Sequence, residues 1–184
     1  MKFRDEFIED FRPRLEKAFK AMDELEAGGI ANPDENRMVG HYWLRNADLA
    51  PNDKLKEAIK ETLEKVREVS SQVHSGVLQS PHGPFTDLLV IGIGGSALGP
   101  QFVGRALGDP QSDRLNVHFF DNTDPDGIDL TLAEIGSALK TTLVVVISKS
   151  GGTAETRNGM LEAENAFSTT GLDFSKHTIA ITAE

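Results

Sequence analysis

The chain has 184 residues and a formal net charge of −10, and it contains no cysteine. Its length suits one domain, or one domain with a helical annex. Without cysteine, disulfides, thiolate metal sites and cysteine nucleophiles are excluded. The acidity and the lack of a basic patch with interleaved aromatics argue against nucleic acid as a partner. No apolar run reaches membrane-spanning length and no apolar leader opens the sequence, so we expect a cytoplasmic protein with no membrane partner.

The N-terminal part predicts two amphipathic helices. Apolar residues recur every three or four positions through 1–27, where Pro13 allows either a kink or two shorter helices. The stretch 41–44 holds the only Trp and the only Tyr, and we interpret it as an apolar anchor in preference to a ligand-stacking surface. A second helix opens at Pro51. The turn-rich stretch 80–84 then predicts a boundary between a helical segment, 1–84, and an α/β domain, 85–184.

Strands and helices alternate in the second part. The pattern predicts strands at 87–92, 115–120, 142–147 and 177–182, and helices at 96–107, 128–139 and 154–167. This order predicts a doubly wound parallel α/β sheet with right-handed crossovers. Ligands of such sheets bind beyond the carboxyl ends of the strands, where the winding reverses. The loops after the first and third of these strands are therefore candidate binding loops.

The first candidate loop is Gly92-Ile-Gly-Gly-Ser96, between a buried strand and a helix. Free N–H groups at the start of the helix, the helix dipole and glycines that expose the backbone together favour an anion. The same turn could reverse the chain and bind nothing. Residues 92–97 also fit the G-x-G-x-x-A dinucleotide fingerprint, with Asp121 at the end of the next strand as a ribose-binding acid.

The second candidate loop combines hydroxyls, glycines and one cation; its residues are Ser148, Lys149, Ser150, Gly151, Gly152 and Thr153. Two helix N-termini that converge with these hydroxyls would satisfy most acceptor sites of one phosphate dianion. The simpler interpretation is a serine–threonine turn in which Thr153 only caps the next helix. A second glycine loop at the same sheet edge favours phosphate, and the hydroxyl-rich cradle favours a compact phosphate over a dinucleotide.

The two loops together resemble those of the glucose-6-phosphate isomerase family, within the sugar isomerase (SIS) fold. The matching motifs are Gly92-Ile-Gly-Gly-Ser-x-Leu-Gly99 and Ser148-Lys-Ser-Gly-Gly-Thr-x-Glu-Thr156. His41-Tyr-Trp-Leu-Arg45 and Asp121-Asn-Thr-Asp-Pro125 are similar to bacterial members. The resemblance covers nearly the whole chain, which looks like the N-terminal helices and most of the first SIS domain. It implies a sheet of flavodoxin-like strand order.

The resemblance also implies roles for eight residues. Gly95 and Ser96 would contact the sugar phosphate, and Gly151 and Gly152 would line the loop. The phosphate oxygens would be held by Ser148, Lys149, Ser150 and Thr153.

The activity that the resemblance implies is aldose–ketose isomerisation of glucose 6-phosphate and fructose 6-phosphate through an enediol, without metal or organic cofactor, in a homodimer. The family takes its base from a glutamate and its ring-opening group from a histidine, both in later segments. We therefore nominate no catalytic residue and expect the 184-residue chain alone to be inactive. The alternative is a non-enzymatic SIS module that senses a sugar phosphate. We also expect strand 177–182 to present an unpaired edge that favours association.

Overall fold

The structure is a computed structural model that describes residues 6–109 and 111–183. Residues 1–5 of the predicted first helix, Pro110 of a predicted turn and Glu184 lie outside the described residues. The chain divides into two compact units, and the division falls between Glu68 and Val69.

The first unit begins with helix α1, Phe7–Glu26, which continues through Pro13 as one helix. The alternative of two shorter helices is therefore wrong, because the missing N–H of a single proline removes only one backbone bond. The apolar stripe of α1 lies largely at the surface: Phe11 and Leu15 are half-buried, and Phe19 is exposed. No described residue of α1 is fully buried.

A short hairpin follows, in which β1, Ile30–Asn32, pairs antiparallel with β2, Arg37–Met38. The sequence predicted a loop here, because strands of two and three residues are too short for an alternating pattern to show. Beyond the hairpin, Trp43 is buried and its Nε1–H donates to the carbonyl oxygen of Glu26 at 3.0 Å. This contact ties the stretch 41–44 to the end of α1 and supports the anchor interpretation.

Helix α2, Asp53–Ser75, is the second predicted helix. It begins two residues after Pro51, because the Asn52 side chain accepts the Leu55 N–H at 3.0 Å and caps the helix there. Lys56 on α2 lies 2.6 Å from the carboxylate of Asp48. That hydrogen bond, with the charge of Lys56, lowers the pKa of Asp48.

The second unit is a parallel sheet with helices between its strands. The strands are β3, Asp87–Ile91; β4, Asn116–Phe120; β5, Thr142–Ser148; and β6, Thr178–Thr182. The helices are α3, Gly95–Leu107; α4, Pro125–Ile135; and α5, Ala154–Thr169. The strand order β4-β3-β5-β6, with every neighbouring pair parallel, is the flavodoxin-like doubly wound order. The predicted fold class is confirmed.

Helix α4 differs from its predicted bounds, 128–139, at both ends. It starts at Pro125, with Asp124 as a cap that accepts the Gly127 N–H at 3.2 Å. A 3-10 turn, Gly136–Thr141, replaces its predicted last residues. The stretch 121–127 was predicted to be a loop because helix caps and loops use the same small polar residues.

The two central strands, β3 and β5, bury apolar side chains on both faces of the sheet. Leu89, Ile91 and Val144 contact α4 and α5 in one core, where Phe167 is fully buried. On the other face, Leu143 packs with residues of the second unit that precede the sheet, Val73 and Phe85. The centre of the sheet is thus covered on both sides, as the continuous apolar runs of β3 and β5 predicted.

Helix α3 packs on the sheet through a small residue. Ala97 is its buried residue, whereas Leu98, Phe102 and Leu107 are 63%, 73% and 80% exposed. The helical spacing of those large residues correctly predicted a helix. The spacing did not predict which face of α3 is buried, because these large residues are exposed and Ala97 is buried.

A hydrogen-bond network joins β3 and β4 at the amino edge of the sheet. The buried carboxylate of Asp87 accepts from Asn116 Nδ2 at 3.2 Å and from Thr86 Oγ1 at 2.8 Å, and it lies 3.0 Å from His118 Nε2. His118, in the predicted strand 115–120, is half-buried and contacts this carboxylate. This network lies at the opposite end of the strands from the two candidate loops.

Strand β6 lies at one edge of the sheet and, among the described residues, pairs with β5 alone. Its Ile181 is 52% exposed. An edge strand of this kind can pair with another chain, and association through it stays a prediction.

Candidate functional site

The loop after β3 is shaped by two glycines. At Gly92 an added Cβ would lie 2.9 Å from Ser96 Cβ and 3.3 Å from the carbonyl oxygen of Ile147, so a side chain has no room there. At Gly94 the backbone adopts φ +56°, a conformation that glycine tolerates best. The chain turns at this residue, which takes the N-cap position, and α3 begins at Gly95. The start of α3 is thereby brought against the end of β5.

The loop after β5 is a tight turn held by its own hydroxyls. Ser148 Oγ donates to Thr153 Oγ1 at 3.2 Å, and Ser150 Oγ lies 3.4 Å from the same oxygen. Ser150 Oγ also accepts the Gly152 N–H at 3.2 Å. Gly151 has φ +68° and its N–H donates to the Ser148 carbonyl at 3.2 Å. The three hydroxyls therefore form one cluster at the start of α5.

The two loops meet where the winding of the sheet reverses. From β3 the chain passes to β4 on one side and then to β5 on the other, so β3 and β5 are neighbours whose carboxyl ends share one edge. Beyond this edge lie the N-termini of α3 and α5. The prediction that both candidate loops lie at the switch point is confirmed.

All eight residues that the sequence singled out lie at this edge: Gly95 and Ser96 open α3, Ser148 ends β5, and the other five form the loop before α5. Gly95, Lys149, Ser150, Gly151 and Gly152 are exposed, Ser96 and Thr153 are half-buried, and Ser148 is buried. The carbonyl oxygen of Lys149 accepts the N–H of Ala183 at 3.2 Å, which fixes the loop to the residue after β6.

Thr153 occupies the predicted N-cap position of α5 but does not cap it with its side chain. Its hydroxyl joins Ser148 and Ser150, while its carbonyl accepts the Arg157 N–H at 3.0 Å. The N–H groups of a first helical turn have no intrahelical acceptors. Because the Thr153 hydroxyl does not occupy them, they remain able to bind an anion at this helix end.

Asp121, the candidate ribose-binding acid, has hydrogen-bond partners on both oxygens. Its Oδ2 accepts from Gln101 Nε2 at 2.6 Å, and its Oδ1 accepts from Asn122 Nδ2 at 2.8 Å. A ribose hydroxyl would have to displace one of these bonds. The geometry therefore weakens the dinucleotide interpretation of residues 92–97.

A cleft of about 390 Å³ lies between α4 and α5. Its lining includes the carboxylates Asp129 and Glu162 and no Lys or Arg side chain, so it does not suit a phosphate.

Within residues 6–109 and 111–183, no cluster of three or more metal-ligating side chains occurs. Within the same residues, no helix is long and apolar enough to cross a membrane.

Sequence reasoning assigned no role to one residue close to the second loop. Thr156, in the first turn of α5, is 3% exposed, and its hydroxyl has no hydrogen-bond partner among the described residues. It stands at the end of the matched motif, but burial of its side chain depends on how α5 packs on the sheet. The spacing of residues in the sequence does not show how α5 packs.

The fold and the loops define an α/β protein of the sugar isomerase (SIS) fold. The chain belongs to the phosphoglucose isomerase family, whose family model matches residues 5–184. Its fold is similar to the crystal structure of a glucose-6-phosphate isomerase from Chlamydia trachomatis, with a TM-score of 0.81 and 28% identity over 99% of this chain and 36% of that one.

Curated relatives agree with the family. A glucose-6-phosphate isomerase of Geobacter sp. (strain M21) is 60% identical over 181 residues, which are 98% of this chain and 34% of the relative. The chloroplastic glucose-6-phosphate isomerase 1 of Arabidopsis thaliana is 56% identical over 99% of this chain and 30% of its own length. The chain thus spans about a third of the length of these relatives.

Proposed function

We propose that this chain is the phosphate-binding part of a glucose-6-phosphate isomerase, a cytoplasmic homodimer that interconverts glucose 6-phosphate and fructose 6-phosphate through an enediol. The observation that carries the proposal is the meeting of two glycine and hydroxyl loops at the switch point of the sheet. Membership of the phosphoglucose isomerase family supports the choice of ligand. The names of the relatives support the choice of reaction.

The phosphate would lie between the N-termini of α3 and α5. Backbone N–H groups at Gly95 and at the start of α5 would donate to its oxygens, with Ser96 beside them. The hydroxyls of Ser148, Ser150 and Thr153 would turn from one another towards the dianion, and Lys149 would supply the cation. Gly151 and Gly152 let the ligand approach the loop backbone.

We assign no catalytic residue to residues 1–184. The proposed reaction needs a base at C2 and C1 and a group that opens the sugar ring. These groups would come from the two-thirds of the relatives' length that this chain does not span. Side chains alone suffice for enediol chemistry, so the proposal includes no metal or organic cofactor.

The proposal also includes the division of the chain into a helical segment, 1–84, and an SIS-like domain, 85–184.

Ligand titration with amide hydrogen exchange tests the choice of phosphate over dinucleotide. Glucose 6-phosphate or inorganic phosphate should slow exchange at residues 94–98 and 149–154, because the anion accepts hydrogen bonds from the N–H groups there that lack an internal acceptor and stabilises the turns that contain the others. Exchange at residues 112–116, which lie at or before the amino end of β4, serves as the internal control and should not change. NADH should give no saturable signal.

Two outcomes would contradict the proposal. Tight, saturable binding of NADH would favour the dinucleotide interpretation of residues 92–97. Protection by phosphate that appeared elsewhere, with residues 149–154 unchanged, would show that the second loop does not hold the anion.

A further inference from the structure

The buried hydroxyl of Thr156 differs from those of two other threonines that lie in a helix or at its end. Thr131 Oγ1 donates to the carbonyl of Gly127, four residues earlier, at 2.9 Å, and Thr170 Oγ1 donates to that of Ala166 at 3.0 Å. This bond is the ordinary way in which a helical threonine satisfies its hydroxyl. Thr156 lacks it, and its Oγ1 has no partner among the described residues. A buried hydroxyl left in this state is destabilising and needs an explanation.

The reason is the position of Thr156 in α5. The carbonyl four residues earlier belongs to Gly152, which precedes the helix and lies in the loop after β5. Gly152 is exposed, and its own N–H is directed to Ser150 Oγ. The usual acceptor of the Thr156 hydroxyl is thus part of the candidate phosphate loop. Its orientation depends on the conformation of that loop.

Packing places the Thr156 side chain beneath the two loops. The buried residues of α5 are Thr156, Gly159, Ala163 and Phe167, which form one stripe towards the sheet. At Gly159 an added Cβ would lie 3.0 Å from Ile91 Cγ2 and 3.6 Å from Phe120 Cβ, so α5 there contacts the last residues of β3 and β4. Thr156 lies about 4.5 Å nearer the N-terminus of α5. Its hydroxyl therefore lies at the carboxyl edge of the sheet, below the site.

The peptide that joins Gly152 to Thr153 connects this hydroxyl with the anion. In a trans peptide the C=O and N–H point in opposite directions. If the C=O of Gly152 turns along the helix towards Thr156, the N–H of Thr153 turns outward, away from the helix. That outward direction is the one in which a helix N-terminus holds an anion.

We propose that Thr156 is a positioning residue of the phosphate site. Its hydroxyl donates to the Gly152 carbonyl in the ligand-bound protein and so holds the Thr153 N–H towards the phosphate. The inference rests on the proposed function, because it assigns the loop to a phosphate. Thr156 itself does not touch the ligand.

The replacement Thr156→Val tests this role, since valine has nearly the shape of threonine without the hydroxyl. The full chain is titrated calorimetrically with inorganic phosphate and with glucose 6-phosphate, and its unfolding by urea is measured without ligand. Thr156→Val should be at least as stable as the parent, because the buried hydroxyl that it removes has no partner in the described part of the chain. Its affinity for both ligands should fall about threefold to tenfold, because one hydrogen bond of the bound state is lost. Thr156→Ser should bind within about twofold of the parent.

The outcomes separate this inference from the proposed function. A parent chain that binds neither ligand overturns both. A parent that binds, with Thr156→Val of equal affinity, overturns the role of Thr156 and leaves the proposed site intact. Loss of stability in Thr156→Val without any loss of affinity shows a purely structural residue and also overturns it. If Thr156→Val does not fold, Thr156→Ala provides the same comparison, and failure of both to fold counts against the inference.

Discussion

Replacing Ser148 and Thr153 together with alanine should weaken binding of glucose 6-phosphate and inorganic phosphate at least tenfold. A hydrogen bond to a charged group contributes about 1.5–3 kcal/mol, and the double variant removes two such donors. Ser148 Oγ donates to Thr153 Oγ1 at 3.2 Å, so replacing both residues removes the donor and the acceptor of one hydrogen bond together. Neither hydroxyl is then left without the other. The loss should therefore appear in affinity and not in folding. Isothermal calorimetry gives the dissociation constants, and urea unfolding gives the stability.

The matched control replaces two hydroxyls outside the loops. Ser70 and Ser71 are exposed on α2. Ser70→Ala/Ser71→Ala should bind both ligands like the parent. An unchanged dissociation constant in Ser148→Ala/Thr153→Ala would show that these hydroxyls do not hold the phosphate. In a polypeptide of the relatives' full length, the same substitutions should raise KM for the sugar phosphate.

Replacing Asp87 with alanine should destabilise the chain by about 1–3 kcal/mol, because a donor shielded from water and left without an acceptor costs about that much. That donor is the ring of His118; Thr86 and Asn116 are exposed, and Thr86 Oγ1 keeps Thr141 Oγ1 at 2.8 Å. Asp87 is only 4% exposed, so water cannot replace the lost carboxylate without entering the edge of the sheet. The midpoint of urea unfolding should move to a lower concentration.

Two further variants set the scale of that effect. Asp129→Ala removes an exposed carboxylate of α4 and should change stability by no more than about 0.5 kcal/mol. Asp87→Asn keeps the volume and one acceptor oxygen, so its stability should lie between those of the parent and Asp87→Ala. A loss below about 1 kcal/mol in Asp87→Ala would show that the network does not stabilise the sheet. Phosphate affinity should not change, because Asp87 lies at the opposite edge.

The sheet and the edge that carries the candidate site were predicted from local sequence patterns, which the folded structure retains. The apolar run of β5 and the glycine turn after β3 predicted parallel strands whose loops share an edge, and both are observed. The β1–β2 hairpin and the early start of α4 at Pro125 were missed. Strands of two or three residues are too short to show an alternating pattern of apolar residues. A helix cap uses the same small polar residues as a loop, so the two look alike in sequence. The exposed Phe102 of α3 shows the same limit, since spacing marks a helix but not what covers it.

The sequence by itself determined the order of strands and helices from β3 to β6, the segments that hold the eight candidate residues, and the family resemblance, because each depends on residues close together in the chain. Only the tertiary structure decided which polar side chains have hydrogen-bond partners. Asp121 is occupied by Gln101, twenty residues away, and Asp87 meets His118 from the neighbouring strand. The hydroxyl of Thr156 is buried, with no partner among residues 6–109 and 111–183, because α5 packs against the ends of β3 and β4. Such contacts join residues distant in sequence, and only the packed fold fixes their distance and burial.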